Sequence, residues 1–386
     1  MPYTHWLMRV LRCAGTLPGA GLTGIALLTS TVSAQDNSFR VVVVSESGDK
    51  ATWLRPAGTE LELERTVPIG VMPTDIDGPH NVVVAADGKG YYVTVAHGTP
   101  FGSLWKLDTR SDSVLGKAQV ELFPTTISLT PDGQLAFVAN SDFHGDHPRT
   151  NVVSVIHTPT MTKITDLDAC DMPHGVKVNH AGTRTYVSCM HSDEILELEV
   201  ATLTVTRRAK TGAVHSAVTA ASRHGSATHS ATTAGECSPT YVSVSIDDAK
   251  LFVACNSGNT LQVWDAKTFR RLKEIPVGKG AYNVEPSPDG RLVLVTNKKD
   301  QSVSLIDAAT LAEIARIPTT KKIVHGVAYS PDSRLAYISC ESIGIDSGAV
   351  DVVDLRTRRR VSTFPVSGQP TGISIRSSTS SSTSRP

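Results

Sequence analysis

The chain reads as all-β: a closed ring of seven four-stranded antiparallel sheets, with the two ends of the sequence sharing one sheet. Three observations predict this. Hairpin turns recur at Asp87-Gly88, Asp132-Gly133, Ala181-Gly182, Asp247-Asp248, Asp289-Gly290 and Asp332-Ser333. Each turn follows an alternating strand and precedes a β-branched or aromatic one, and a period of about 40 to 50 residues with four strands per unit marks the blades of a propeller. Finally, the N-terminal strands lack an inner partner that the C-terminal segment supplies.

The strand after each turn carries the clearest echo. It reads Tyr92-Val93-Thr94-Val95, Phe137-Val138-Ala139-Asn140, Tyr186-Val187-Ser188-Cys189, Phe252-Val253-Ala254-Cys255, Leu294-Val295-Thr296-Asn297 and Tyr337-Ile338-Ser339-Cys340. Large apolar residues alternate with small or polar ones, as a strand held between neighbouring blades requires. Further on, Asp265-x-x-Thr268, Asp307-x-x-Thr310 and Asp354-x-x-Thr357 place an Asp that accepts backbone N–H groups and closes a tight turn. These motifs resemble the YVTN family of seven-bladed β-propellers, across residues 40 to 376. The resemblance is specific for fold because the motif recurs.

Six complete blades begin near Pro79, Pro124, Pro173, Pro239, Ala281 and Val324, and the seventh is split. Residues 40–70 offer three strands, ending in Thr66-Val67-Pro68-Ile69-Gly70, the outer-strand ending seen again in Ile275-Pro276-Val277-Gly278. The missing inner strand is Pro370-Thr371-Gly372-Ile373-Ser374-Ile375. Pairing the termini closes the ring and covers edges that would otherwise recruit other chains, so a monomer is expected.

The ends lie outside this fold. Residues 1–34 carry Arg9 and Arg12 ahead of an apolar run to Leu28 and a small-residue Val32-Ser33-Ala34 site, the pattern of a secretory signal, so the mature chain is expected to be periplasmic or secreted. Pro18 and several glycines interrupt the run, which disfavours a spanning helix, and no membrane span is expected once the signal is removed. The propeller is expected over 35–376, with an Ala/Ser/Thr/His-rich insert at 213–236 read as a lid or spacer, and a Ser/Thr tail at 377–386 that cannot bury enough apolar surface to order.

Lys and Arg (37) balance Asp and Glu (37), so no net field draws the chain to nucleic acid. Aromatic residues at 5% argue against a stacking surface for sugars or bases. Removing the signal leaves Cys170, Cys189, Cys237, Cys255 and Cys340, with no CxxC motif for haem attachment or a zinc ribbon. In a blade the start of the inner strand lies beside the end of the second strand. Cys170 and Cys189, and Cys237 and Cys255, hold such places, which suits two within-blade disulfides in an oxidising compartment; buried free thiols are the alternative.

The same topology makes the histidines informative. His80, His97, His144, His147, His174, His191, His215, His224, His229 and His325 all fall in segments assigned to the top face, where the inner strands begin. Three share one register position, in Pro79-His80, Pro173-His174 and Val324-His325; the other blades hold Thr125, Thr240, Tyr282 and Thr371 there. Beside them, at the end of the neighbouring strand, stand His97, His191 and Glu341. Imidazole and carboxylate together suit a transition metal such as copper or zinc. With inner strands about 10 Å apart, the ring radius is about 11 Å, and an imidazole reaching in about 6 Å stops short of a shared ion. A bound polar molecule, a multinuclear centre, or a metal held off-axis by a within-blade pair is therefore expected ahead of one metal shared by three blades. The propeller of nitrous-oxide reductase, distantly similar, fills that gap with a multicopper cluster held by more histidines than stand at this mouth. Each histidine can equally serve only to fix its blade through a turn hydrogen bond.

No GxSxG elbow, phosphate loop, dinucleotide fingerprint or HExxH helix occurs. Similar propellers include parts of amine dehydrogenases, the haem d1 domain of nitrite reductases and lactonase-like enzymes, and fold alone does not choose among them. The sequence thus predicts an exported propeller acting as a binding or interaction module. Its partner is a protein, or a small polar ligand at His80, His174, His325 and Tyr282. The alternative is a metal-dependent oxidoreductase or lyase using His80, His97, His174, His191, His325 and Glu341.

Overall fold

A computed structural model describes residues 39–71, 76–97, 101–141, 151–212, 237–342 and 346–377. The signal segment, the insert at 213–236, the tail beyond 377, and His144, His147, His215, His224 and His229 lie outside the described residues.

Apolar alternation on successive strands yields seven antiparallel sheets of four strands, each sheet running from inner to outer strand in chain order except one. In that blade, the first, the inner strand is Pro370–Ser377, followed by Phe39–Ser45, Lys50–Ala57 and Glu60–Pro68. Pairs such as Val42 with Ser374 and Val43 with Ile373 make the closure. The ring therefore has seven blades, closed through its termini.

The core is distributed. Seven apolar clusters occupy the seven interfaces between blades, each drawing residues from two neighbours: Trp53 and Val42 of blade one meet Tyr91 and Trp105 of blade two, and Tyr337 of blade seven meets Val41 and Leu54 of blade one. Each blade is a sheet buried on both faces, so its middle strands read as nearly continuous buried runs. The Asp-x-x-Thr turns form as the spacing predicts: Asp265 and Asp307 each accept the backbone N–H and the hydroxyl of the Thr three residues on. Cys170–Cys189 and Cys237–Cys255 are disulfides with Cα separations of 5.9 and 4.5 Å, and Cys340 is a buried free thiol.

Each inner strand carries a β-bulge near its start. In blade two Pro79 pairs with Val95 and Asn81 with Thr94, leaving His80 as the extra residue; in blade four Pro173 pairs with Cys189 and Gly175 with Ser188, leaving His174. The bulge frees the next backbone N–H, and the small polar residue of the repeated strand accepts it. Asn81 donates to Thr94 Oγ1, Gly175 to Ser188 Oγ, Asn283 to Thr296 Oγ1 and Gly326 to Ser339 Oγ, at 2.7–2.9 Å. Thus the third residue of the Tyr-Val-Thr-Asn motif satisfies a donor that the bulge would leave orphaned.

The inner strands also come closer than two packed sheets normally do. A Cβ on Gly372 would lie 2.6 Å from Asn81 Cα and Val82 N, and one on Gly175 would lie 2.8 Å from the Thr240 carbonyl oxygen and from Tyr241 Cα. Backbone meets backbone at these positions, so the ring of inner strands is tighter than sheet spacing predicts. Replacing Gly372 with Ala should cost about 1–3 kcal/mol of stability through overpacking at the closure. Urea unfolding of Gly372→Ala measures this, and wild-type stability would contradict such close approach.

Candidate functional site

The bulge residue is the one each blade aims at the axis, and the seven are Thr371, His80, Thr125, His174, Thr240, Tyr282 and His325. All are buried. Their rings pack against one another across the mouth: His80 and His325 have centroids 5.3 Å apart, Tyr282 and His325 4.7 Å, and His174 and Tyr282 5.4 Å. Tyr241 joins at 5.4 Å from His174 and 5.5 Å from Tyr282. Side chains from blades two, four, five, six and seven therefore make one layer. The separation predicted by sheet spacing is not realised, because the glycines let the strands converge.

A second register position supplies the charges. The residue following the partner of the last pair before the bulge is Glu46, Ala96, Ser141, Met190, Asn256, Lys298 or Glu341, by blade. Glu341 is the one member that sequence reasoning selected. His97 and His191 stand one residue further on. Glu46 and Lys298 were missed, although the same register marks them.

Glu46 is the anchor of one side. Its Oε2 accepts a hydrogen bond from His80 Nδ1 at 2.6 Å, and its Oε1 lies 3.0 Å from His97 Nε2. Phe123, which enters blade three with a φ of 49°, sets its ring 5.3 Å from both imidazoles. On the other side Lys298 Nζ lies 3.0 Å from Glu341 Oε1 and 4.1 Å over the Tyr282 ring, while His325 Nε2 is 3.8 Å from the same carboxylate oxygen. His174 uses both nitrogens: Nδ1 donates to the Thr240 carbonyl at 2.8 Å, leaving Nε2 to accept from the Tyr282 hydroxyl at 3.2 Å. His191 is half-exposed, 3.9 Å from Asp171.

Several buried polar atoms make no hydrogen bond: His80 Nε2, His325 Nδ1 and Nε2, and the Tyr241 hydroxyl. The Thr371 carbonyl lies near His325, and Asn283 near Tyr241, without reaching good geometry. Glu341 Oε1 likewise makes no hydrogen bond, although Lys298 and His325 stand within ion-pair reach of it. Native interiors pair nearly all such groups, and an unmet one costs about 1–3 kcal/mol. Five of the unpaired buried atoms lie within this layer, while others, such as Trp53 Nε1, Thr185 Oγ1 and the Tyr337 hydroxyl, lie elsewhere in the blades.

Electrostatics follow from this burial. Burial opposes ionisation of Glu46, but His80 and His97 outweigh it and hold the carboxyl well below the usual carboxylate range. Burial, with His80 adding to it, pulls His174 down to about 3. Burial, then Lys298, His80 and His174, hold His325 far below the ordinary value, and burial pushes the Tyr241 and Tyr282 hydroxyls up. The layer thus contains one firmly ionised carboxylate and two imidazoles kept neutral.

The inner strands line an open cavity of about 460 Å³, with walls from all seven blades. An ion pair, Lys177 Nζ to Glu285 Oε1 at 2.6 Å, joins blades four and six in its wall. Among the described residues no group of three or more His, Cys, Asp or Glu side chains is placed to hold a metal ion. No helix among them is long and apolar enough to cross a membrane.

The depressed histidines dictate a pH dependence. An unfolded histidine titrates near 6.5, whereas His174 in the fold titrates near 3, so the unfolded state binds more protons between these values. Stability is fully present above about pH 6.5 and is lost as pH falls toward about 3, with a slope of about 1.4 kcal/mol per pH unit for each such histidine. Glu46 acts in the same direction, but only below about pH 4.3, where unfolded glutamate protonates. Urea unfolding between pH 7 and pH 5 should show His174→Asn less stable at pH 7, with a slope shallower by about one proton than that of the wild type. Equal slopes would mean that His174 is not held neutral.

The family model for the cytochrome D1 heme domain matches residues 240–342, a stretch that contains Tyr282, Lys298, His325 and Glu341 but neither Glu46, His80 nor His174. Among curated proteins, no relative matches the sequence. Among solved structures, a chain of Kuenenia stuttgartiensis hydrazine synthase is similar, with 19% identity, a TM-score of 0.62, and 79% of this chain and 93% of that one covered. A functionally unknown protein from Desulfotomaculum acetoxidans aligns at 13% identity and a TM-score of 0.68, over 87% of this chain and 98% of its own. A periplasmic gluconolactonase from Pseudomonas aeruginosa aligns at 17% and 0.68, over 88% and 99%. At such identities the likeness is one of architecture, and this chain is a seven-bladed β-propeller.

Proposed function

We propose that this chain is an exported binding module that takes a small polar ligand or a metal ion in the axial layer at the top-face mouth. The observation that carries the reading is the set of buried imidazole nitrogens without partners, His80 Nε2 and both nitrogens of His325. Export is supported by the two disulfides, which persist in oxidising compartments, and by the signal-like N-terminus.

A metal-dependent oxidoreductase or lyase is the competing reading. Of its six candidate groups, His174 has both nitrogens engaged, His97 leans on Glu46, and His191 stands at the surface against Asp171. His80, His325 and Glu341 keep unclaimed atoms. That is enough to bind, and less than acid, base and ligand roles together demand. A heme, which the matched family model would imply, does not fit: ring centroids 4.7–5.5 Å apart across the mouth leave no slot for a macrocycle among the described residues.

Native mass spectrometry of the exported wild-type protein tests the proposal. A bound mass is expected in the wild type and absent in His325→Phe, whose ring keeps the packing without the nitrogens. If the wild type carries no adduct and His325→Phe is simply more stable, as removal of unmet polar atoms predicts, the layer is packing and the proposal fails.

A further inference from the structure

The inner strands build a second ring of side chains past the bulges. Three residues beyond the bulge, blades four and six carry Lys177 and Glu285, and the other five blades carry only Ser, Val or Ala. These small residues leave space for the open cavity of about 460 Å³. Small-ligand sites are typically roughly 300–1,000 Å³.

Among the described residues Lys177 and Glu285 are the only charged ones in the lining. Their contact at 2.6 Å reaches past blade five, whose Ser243 hydroxyl donates to Glu285 Oε2 at 3.1 Å. The ammonium can donate three hydrogens and has that one partner among the described residues, so it keeps donors to spare. The two side chains remain 29% and 31% exposed where they line the cavity. Together they present a short dipole. A ligand of one net charge gains at one end of it and loses at the other, whereas a zwitterion laid antiparallel gains at both. An α-amino acid has this form, since one carbon separates its ammonium from its carboxylate.

The rest of the wall divides to match. On the polar side Tyr241, the residue after the bulge in blade five, is 9% exposed, lines the cavity, and has a hydroxyl without a hydrogen bond. Burial, followed by neighbours that include Glu285, keeps that hydroxyl protonated and therefore a donor. On the other side of the ring, Val83, Ala328 and Ile373 of blades two, seven and one offer an apolar surface.

We infer that this channel binds a free α-amino acid with a small apolar side chain, its carboxylate on Lys177 Nζ and the Tyr241 hydroxyl and its ammonium on Glu285. The site uses none of the imidazoles and stands apart from the binding proposed above.

Isothermal titration calorimetry of the exported protein with L-alanine, L-valine and L-leucine tests this. One equivalent of at least one of them should bind. Its N-acetyl and amide derivatives, each lacking one charge, should bind about 10-fold more weakly or worse, and Lys177→Met and Glu285→Gln should each cost a similar factor. The Lys177→Met/Glu285→Gln double variant leaves no unpaired charge, and a wild-type circular dichroism spectrum for it separates lost binding from lost folding. His325→Phe should bind as the wild type does. The inference is overturned if none of the three amino acids binds, the cavity then holding solvent alone, if the derivatives or glycerol bind as tightly, or if the folded double variant still binds. A His325-dependent adduct in a protein that ignores all three amino acids removes this inference and leaves the axial proposal standing. Amino-acid binding without such an adduct does the reverse.

Discussion

The β-bulge at the start of each inner strand is the constraint on which the rest of the molecule depends. Without it, the residue after Pro79 or Pro173 would pair in the ladder and turn its side chain toward a neighbouring blade. With it, one residue per blade is left over, and seven-fold repetition brings those residues to a common centre. The bulge is not free, since it strands a backbone N–H in a buried place. The Thr or Ser of the adjacent strand answers that N–H in blades two, four, six and seven, and these are the blades whose axial residues are His80, His174, Tyr282 and His325. The motif that builds the fold and the geometry that builds the site are therefore one hydrogen-bonding arrangement.

Closure of the ring is the second requirement. Glu46 sits just after the strand Phe39–Ser45, which is held in blade one through its ladder to Pro370–Ser377. The carboxylate that orients His80 thus depends on residues more than 300 positions away. The Glu46 N–H itself donates to the Gln369 carbonyl at 2.9 Å.

The fold was legible because repetition multiplies weak signals: six copies of a turn and strand, and a split blade whose outer ending matches Ile275-Pro276-Val277-Gly278. The shared position of His80, His174, His325 and Tyr282 was legible for the same reason, as were the two cysteine pairs. Glu46 escaped because its strand reads Val42-Val43-Val44-Ser45, without the Tyr-Val-Thr-Asn echo, and its inner partner lies at the far end of the chain. Lys298 lies in Asn297-Lys298-Lys299-Asp300, which looks like a solvated turn. His97 and His191 drew attention by residue type, whereas register points one position earlier. The channel width was overestimated because spacing between ordinary packed sheets does not apply where Gly175 and Gly372 let backbones touch.

The same register position contains its own control. Thr125 pairs with Ser141 Oγ at 2.8 Å and reaches the His174 carbonyl, Thr240 donates to the Tyr282 carbonyl at 2.7 Å, and Thr371 reaches the Pro79 carbonyl. Wherever threonine occupies the bulge, neighbouring blades satisfy it. His174, too, is satisfied twice. The architecture can therefore provide partners for polar groups at this depth, and with Tyr282 donating to His174 it does so in five blades of seven. His80 and His325 carry the exceptions, sit beside each other, and are flanked by the two glutamates of the layer. A layer selected only to plug the channel would gain stability from threonine or an apolar ring at both positions. Keeping under-satisfied imidazoles there, one of them braced by a buried carboxylate, is a cost that the proposed guest would offset.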